Sequence, residues 1–263
     1  MNKTRKLIIL VAILVLACVA AEAGSREVNE TYPAEPDGTV SIELIAGSVR
    51  FVGWERDEVQ ITGTLEDDVE GLDVQSTGKR TMIEVELVHS GHGPHHANAE
   101  LEIHVPSGSR IEAEAVSADL DVEAVHGPVF IESVNGRVRI QGDVTEAEVS
   151  TVASSILVES DTELRSGQFE TVAGKIDFRG ALSPNGRFSF ESLSGSVTLR
   201  LPSGTSAEFD VETFSGDIDN ELGPPAERTG DYGPGKSLEF SMGSGGARVS
   251  IESFSGHVRL LSY

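Results

Sequence analysis

The chain has almost no sulfur chemistry. Its one cysteine, Cys18, lies near the start, and no thiol follows it. A disulfide framework is excluded, so the folded part must be held by burial and hydrogen bonds alone. Aromatic residues make up only 5% of the chain, which leaves the core to small and β-branched side chains. Basic residues are few: 20 Lys and Arg face 43 Asp and Glu, a net charge of −23. A field of that sign repels nucleic acid and anionic lipid headgroups and favours cations or basic partners. It equally suits plain solubility outside a cell. Beyond the N-terminal region, no 12-residue stretch keeps a 3.6-residue apolar period, which argues against a helical bundle. No G-x-S-x-G nucleophile turn and no phosphate loop is read.

What is present begins with an export signal. Lys3, Arg5 and Lys6 precede a nearly unbroken apolar run from Leu7 to Val19, and Ala21-Glu22-Ala23 supplies a small-x-small cleavage pattern. This is the layout of a secretory signal peptide over residues 1–23. The run is short for a membrane span of roughly 20 residues. Cleavage after Ala23 removes three basic residues and one acidic one, so 20 and 43 become 17 and 42, a net of −25. Val15-Leu16-Ala17-Cys18 also resembles a lipobox, and its use would tether the product to a membrane through Cys18. The expected product is soluble and begins at Gly24, in the periplasm or at the cell surface, with membrane contact only if Cys18 is lipidated.

Glycine is abundant, at 28 residues, and much of it marks a repeat. A ten-residue block recurs as IELIAGSVRF (42–51), AEAVSADLDV (113–122), VEAVHGPVFI (122–131), IESVNGRVRI (131–140) and VSTVASSILV (149–158). It continues as FETVAGKIDF (169–178), FESLSGSVTL (190–199), VETFSGDIDN (211–220) and IESFSGHVRL (251–260). Apolar residues fall mostly at positions 1, 4, 8 and 10, and position 6 is Gly in seven of nine copies. The later anchors lie 18, 20, 21 and 21 residues apart, then 40 across an insertion. A unit of about 20 residues holding two period-2 segments and two turns is the mark of a solenoid. One coil cannot bury its own apolar face, whereas stacked coils bury a continuous core and pair their backbone ladders. The expectation is all-β: a right-handed β-solenoid (β-helix) of two-strand coils, about seven of them between residues 105 and 260. The fixed period argues against an antiparallel sandwich. Position 6 is expected to be a corner needing positive φ.

The expected layout is a flexible leader over 24–38 and a single solenoid domain over 39–263. A His-rich loop at 89–99 and an inserted loop at 221–237 interrupt it.

The S-G-D-[IV] core of the block, GSGGARVSIESFSGHVRL (243–260) and VRFVGWERDEVQITGTL (49–65) together resemble a bacterial putative-adhesin family of unknown function. The resemblance spans roughly residues 38–260. It implies an exported β-solenoid of the envelope or cell surface without established catalytic machinery, some relatives being associated with the response to envelope stress. It carries no catalytic residues over. Ala118 and Ser154 depart from the repeat glycine, and the His-rich loop is a further departure.

Three constellations could carry chemistry. His89, His92, His95 and His96 fall within eight residues and could gather on one Zn or Cu ion if the loop curls, or form a polar tip. Position 2 is Glu in eight of nine copies (Glu43, Glu114, Glu123, Glu132, Glu170, Glu191, Glu212, Glu252). Stacked, these would form an outward column of like charge, either a cation stripe or a solvated edge that discourages aggregation. Lys175, Asp177, Asp217 and Asp219, with Ser196 and Thr198 between them, could align as a lyase-like or hydrolase-like site. No catalytic, metal or cofactor residue is assigned, and no cofactor is expected. The leading expectation is a non-catalytic, adhesin-like structural or ligand-sensing module. The alternatives are a binding module for cationic envelope components or peptides through an acidic face, and a carbohydrate-active β-helix enzyme. The partner is expected to be a basic peptide, a protein or an envelope polysaccharide, and not nucleic acid.

Overall fold

A computed structural model describes residues 25–88, 98–229 and 234–263, which form strands and turns with no helix among them. The repeat blocks become rungs. Each rung has a first arm at positions 1–4, a corner near position 6 and a second arm at positions 8–10. The rungs are carried by β2 (Thr39–Trp54), β7 (Arg110–Glu123), β8 (Val129–Gln141), β9 (Glu146–Thr171), β10 (Ile176–Ser194), β11 (Val197–Leu201), β12 (Ala207–Asn220) and β15 (Ala247–Ser262). β9 and β10 each run through a turn and supply arms to two rungs, which gives eight rungs from eight strands.

Neighbouring rungs pair parallel and in register. On the first arm Ile42 meets Ala113, Ala113 meets Ile131 and Ile131 meets Val149. On the second arm Phe51 meets Val122, then Ile140, Val158, Phe178 and Leu199 follow. Residues two apart on a strand share a face, so positions 1, 8 and 10 all turn inward, and both arms cover one core. Phe169, Phe178 and Phe190 fill its middle, with Phe169 and Phe190 stacked at 5.1 Å. The parallel two-arm rungs are the β-solenoid the period predicts, and no sandwich of antiparallel sheets is present among them. Seven steps of about 4.8 Å make the stack about 34 Å long.

Four details depart from the sequence reading. The block at 122–131 is not a rung: it spans the second arm of one rung, the return turn and the first arm of the next, so Val125 at its position 4 is fully buried. Rung order is not chain order, because β15 lies between the 187–201 rung and β12, pairing parallel with both. The expected leader is not loose, since β1 (Arg26–Pro33) pairs antiparallel with β3 (Glu58–Leu65). The insertion at 221–237 contains β13 (Glu227–Arg228), which pairs with β14 (Lys236–Met242), itself antiparallel to β12.

The stack is covered at both ends. The second arm of β2 is extended by β6 (Asn98–Pro106), then β3, then β1. Its first arm is covered by β5 (Arg80–Leu87) and β4 (Val69–Ser76). The His-rich segment falls between β5 and β6, and His89, His92, His95 and His96 lie outside the described residues, as do Cys18 and the signal peptide.

The corner explains the Ser-Gly pair. Gly136 has φ +120°, the positive value expected of a corner glycine. Gly47 shares it, whereas Gly174, Gly195, Gly216 and Gly256 do not, so positive φ is not the general reason for the corner glycine. At Gly195, glycine is required because a Cβ would sit 1.6 Å from the Gly174 carbonyl oxygen of the adjacent rung. Position 3 supplies the other corner contact. Ser133, Thr151, Thr171, Ser192, Thr213 and Ser253 are buried there, and hydroxyls of this column donate to corner carbonyls: Ser133 Oγ to Asn135 O at 3.2 Å, Thr151 Oγ1 to Ser154 O at 3.4 Å and Thr213 Oγ1 to Gly216 O at 3.4 Å.

Candidate binding face

With positions 1 and 3 inward, positions 2 and 4 of the first arm face out. Position 4 is therefore an exposed column and not part of the core. In rung order it reads Ile45, Val116, Val134, Val152, Val172, Leu193, Phe254, Phe214, and these side chains are 39–60% exposed. The order follows from the flanking register: Ala115 meets Ser133, Ser133 meets Thr151, and Ser192 meets Ser253. Across the three successive rungs built by β9 and β10, the Ala173 amide donates to the Val152 carbonyl at 2.7 Å and the Ser194 amide to the Val172 carbonyl at 2.8 Å. At the far end Phe214 and Phe254 stack at 4.8 Å with planes 7° apart. Eight exposed apolar side chains in one line exceed the scattered apolar residues of an ordinary surface.

Beside this column runs the glutamate column of position 2. Glu43 meets Glu114, Glu114 meets Glu132, Glu191 meets Glu170 and Glu252, and Glu252 meets Glu212. Ser150 takes the place of Glu between Glu132 and Glu170. Glu123 is not in this column, because it closes a second arm and pairs with Arg50 at 2.6 Å. The two columns line a trough of about 730 Å³ around Val172, Leu193, Phe254 and Phe214, overhung by Thr229, Pro234 and Gly235. A second stretch of about 550 Å³ continues it past Ile45, Val116 and Val134. A neighbouring hollow of about 960 Å³ lies at the start of the same arms, where Arg187, Arg248, Glu208 and Asp210 stand among Phe130, Phe209 and Phe240.

A family model matches residues 55–261, most of the chain and nearly the whole stack. The chain belongs to the Toastrack DUF4097 family. Among solved structures, a putative adhesin from Bacteroides fragilis is 11% identical over 90% of this chain and 97% of that one, with a TM-score of 0.53. A putative cell adhesion protein from Clostridium sporogenes is 13% identical over 90% of this chain and 100% of that one, with a TM-score of 0.43. At such identity the likeness is one of fold. No curated protein matches the chain.

In this Toastrack chain the residues considered for catalysis fall on two groups of rungs, and two of them, Asp177 and Asp217, are occupied. Asp177 lies beside Thr198, Thr198 beside Arg259, and Arg259 beside Asp219. Insertion of β15 thus puts three rung steps, about 14 Å, between the two carboxylates, wider than the pairs that flank a glycosidic bond. Asp177 is ion-paired with Arg200, and Asp217 with Lys236 Nζ. The Lys236 hydrogen bond holds the Asp217 carboxyl below the usual carboxylate range. Among the described residues no group of three or more His, Cys, Asp or Glu side chains could hold a metal ion.

One motif was overlooked. Residues 230–237, GDYGPGKS, fit the spacing G-x-x-x-x-G-K-S of a phosphate loop. The setting does not. Lys236 and Ser237 open strand β14 where a helix N-terminus would be needed, and Lys236 Nζ is held by Asp217.

Proposed function

We propose that this chain is an exported, non-catalytic binding module of the cell envelope, adhesin-like in role, that works through the outer face of its first arms. The observation that carries the proposal is the line of eight exposed apolar side chains from Ile45 to Phe214. A soluble protein keeps such a line only at a cost in solubility, and a use as a contact surface explains its presence on every rung. The basic start, apolar run and Ala21-Glu22-Ala23 site support export, and Cys18 offers membrane tethering as the second form. The adhesin names of the similar folds agree with this role and do not establish it. The cationic-partner reading is favoured over an enzyme because the acids on the outer face form a row beside an apolar column and not a facing pair.

The test is co-sedimentation of the full chain with isolated bacterial envelopes. Saturable binding that is lost in the Phe214→Thr/Phe254→Thr variant at unchanged Tm supports the proposal. Undiminished binding by that variant, or turnover of an envelope polysaccharide, overturns it.

A further inference from the structure

We infer that the first-arm face takes a basic amphipathic helix of a partner protein, laid along the stack with its apolar stripe on the position 4 column and its Lys and Arg residues over the glutamate column. This rests on the proposal that the same face is the binding surface, and adds the chemistry of the occupant.

The first ground is the distribution of charge. The cations that form ion pairs serve acids off the glutamate column: Arg137 with Asp119 at 2.8 Å, Arg50 with Glu102 and Glu123, Arg200 with Asp177, Arg248 with Glu208. Every ion pair among the described residues lies off the position 2 column. Among the described residues, Glu43, Glu114, Glu132, Glu170, Glu191, Glu252 and Glu212 have no cation in an ion pair with them. Like charges directly across a ladder are unfavourable, and the column repeats this on successive rungs while the second arms interleave arginines. A row of unneutralised carboxylates beside an apolar row is complementary to a partner with cations along one flank of an apolar stripe.

The second ground is geometry. The two columns are two residues apart on each strand, about 6.6 Å, and the rungs repeat at about 4.8 Å. A helix has a pitch of about 5.4 Å and a rise of 1.5 Å per residue, so a stack of about 34 Å accommodates roughly 22 residues. Its apolar stripe at i, i+3, i+4 and i+7 advances at nearly the rung step. An extended peptide is disfavoured. The arm backbones are already paired along the ladder, so they would offer nothing to a strand lying across them. A second copy of this chain would set one glutamate column against another, and an anionic bilayer would meet the same repulsion.

The test titrates the full chain into labelled 22-residue synthetic peptides. One is an amphipathic Lys/Leu helix, one has the same composition with its leucines scattered around the helix, and one is an amphipathic Glu/Leu helix. The expected result is saturable binding of the first alone. Affinity should fall at least tenfold in Glu170→Gln/Glu191→Gln/Glu252→Gln/Glu212→Gln and in Val172→Thr/Leu193→Thr/Phe254→Thr/Phe214→Thr, each variant melting as the parent does. Equal binding of the scattered peptide reduces the effect to bulk charge and overturns the inference, as does binding of the Glu/Leu helix or a chain dimer that dissociates in the threonine variant. If no peptide binds while the threonine variant still loses envelope attachment, the inference fails and the proposed function stands. If that variant keeps its attachment, both fail.

Discussion

Gly195 is pressed against Gly174 of the adjacent rung, so that a Cβ on Gly195 would lie 1.6 Å from the Gly174 carbonyl oxygen. This approach is backbone on backbone and cannot be relieved by a side-chain rotation. Gly204 differs: φ is +94° and nothing lies within 4 Å of an added Cβ. Gly195→Ala should therefore destabilise by about 3 kcal/mol or more through displacement of the rung. Gly204→Ala should cost about 1–2 kcal/mol, the ordinary penalty of a left-handed residue. Urea denaturation compares them, and equal midpoints would refute the close-approach explanation.

Phe190 and Phe254 test which block positions face the core. Phe190, at position 1, is fully buried against Phe169 and Phe178, while Phe254, at position 4, is 52% exposed. Phe190→Ala should cost about 3–5 kcal/mol. Phe254→Ala gives up one exposed stacking contact and should cost under about 1.5 kcal/mol. Comparable losses in thermal unfolding would contradict the assignment.

That contrast also shows what was legible in the sequence. The period, the two arms and the inward positions 1, 8 and 10 follow from Val, Ile, Leu and Phe recurring at fixed intervals. Position 4 was read as part of the same apolar set, although strict alternation from Phe190 puts Ser192 inward and Leu193 outward. The hydroxyl at position 3 disguised the fact, because a residue such as Thr151 looks like surface until the corner carbonyl it serves is known. The glutamate column was legible from position 2, and its companion column was not. β1 escaped notice because REVNETYP lies on an edge and buries little of any side chain. Rung order cannot be read locally. FESLSGSVTL, IESFSGHVRL and VETFSGDIDN are too alike for pattern alone to place the second between the other two.

The glutamate column should respond to salt. Glu191 lies between Glu170 and Glu252. Glu191→Gln removes two like-charge contacts, and a rise in Tm of about 1–3 °C is expected at low ionic strength. The gain should shrink as salt is raised, because the Debye length falls to about 3 Å at 1 M. A Tm lowered by the substitution at every salt concentration would show the column to be stabilising.

Asp217 ties β14 to its rung through Lys236. The Lys236 hydrogen bond depresses its folded pKa, with the nearby charge adding to it. The sign follows from linkage: the contribution is present above the ordinary carboxylate pKa of about 3.9 and is lost as pH falls through the lowered folded value. The protection of β14 amides, taken relative to the intrinsic exchange rate at each pH, should therefore fall below about pH 4 in the parent. In Asp217→Asn it should already be lower than in the parent at neutral pH. Exchange in the variant identical to the parent at all pH values would show the pair to be idle.

The position of β15 makes the C-terminus an interior element. Residues 248–253 pair with Arg187–Ser192 on one side and with Glu208–Thr213 on the other, and Val258 lies between Val197 and Ile218. In a sequentially stacked solenoid, removing the last rung trims one end and leaves the remainder paired. Here, a chain ending at Gly246 loses the rung between β10–β11 and β12. Both neighbours then present an unpaired ladder, and Val249, Ile251, Val258 and Leu260 no longer fill the core. β12 could re-pair with the 187–201 rung only by moving one full step with β14 attached. Truncation after Gly246 should abolish the cooperative thermal transition or lower Tm by more than 15 °C, since several kcal/mol are removed and each is worth about 2–4 °C at this size. Deletion of residues 24–34 removes only the edge strand β1 and should leave a cooperative transition. A C-terminally truncated chain that melts like the parent would show that β12 stacks directly on the preceding rung and that β15 is dispensable.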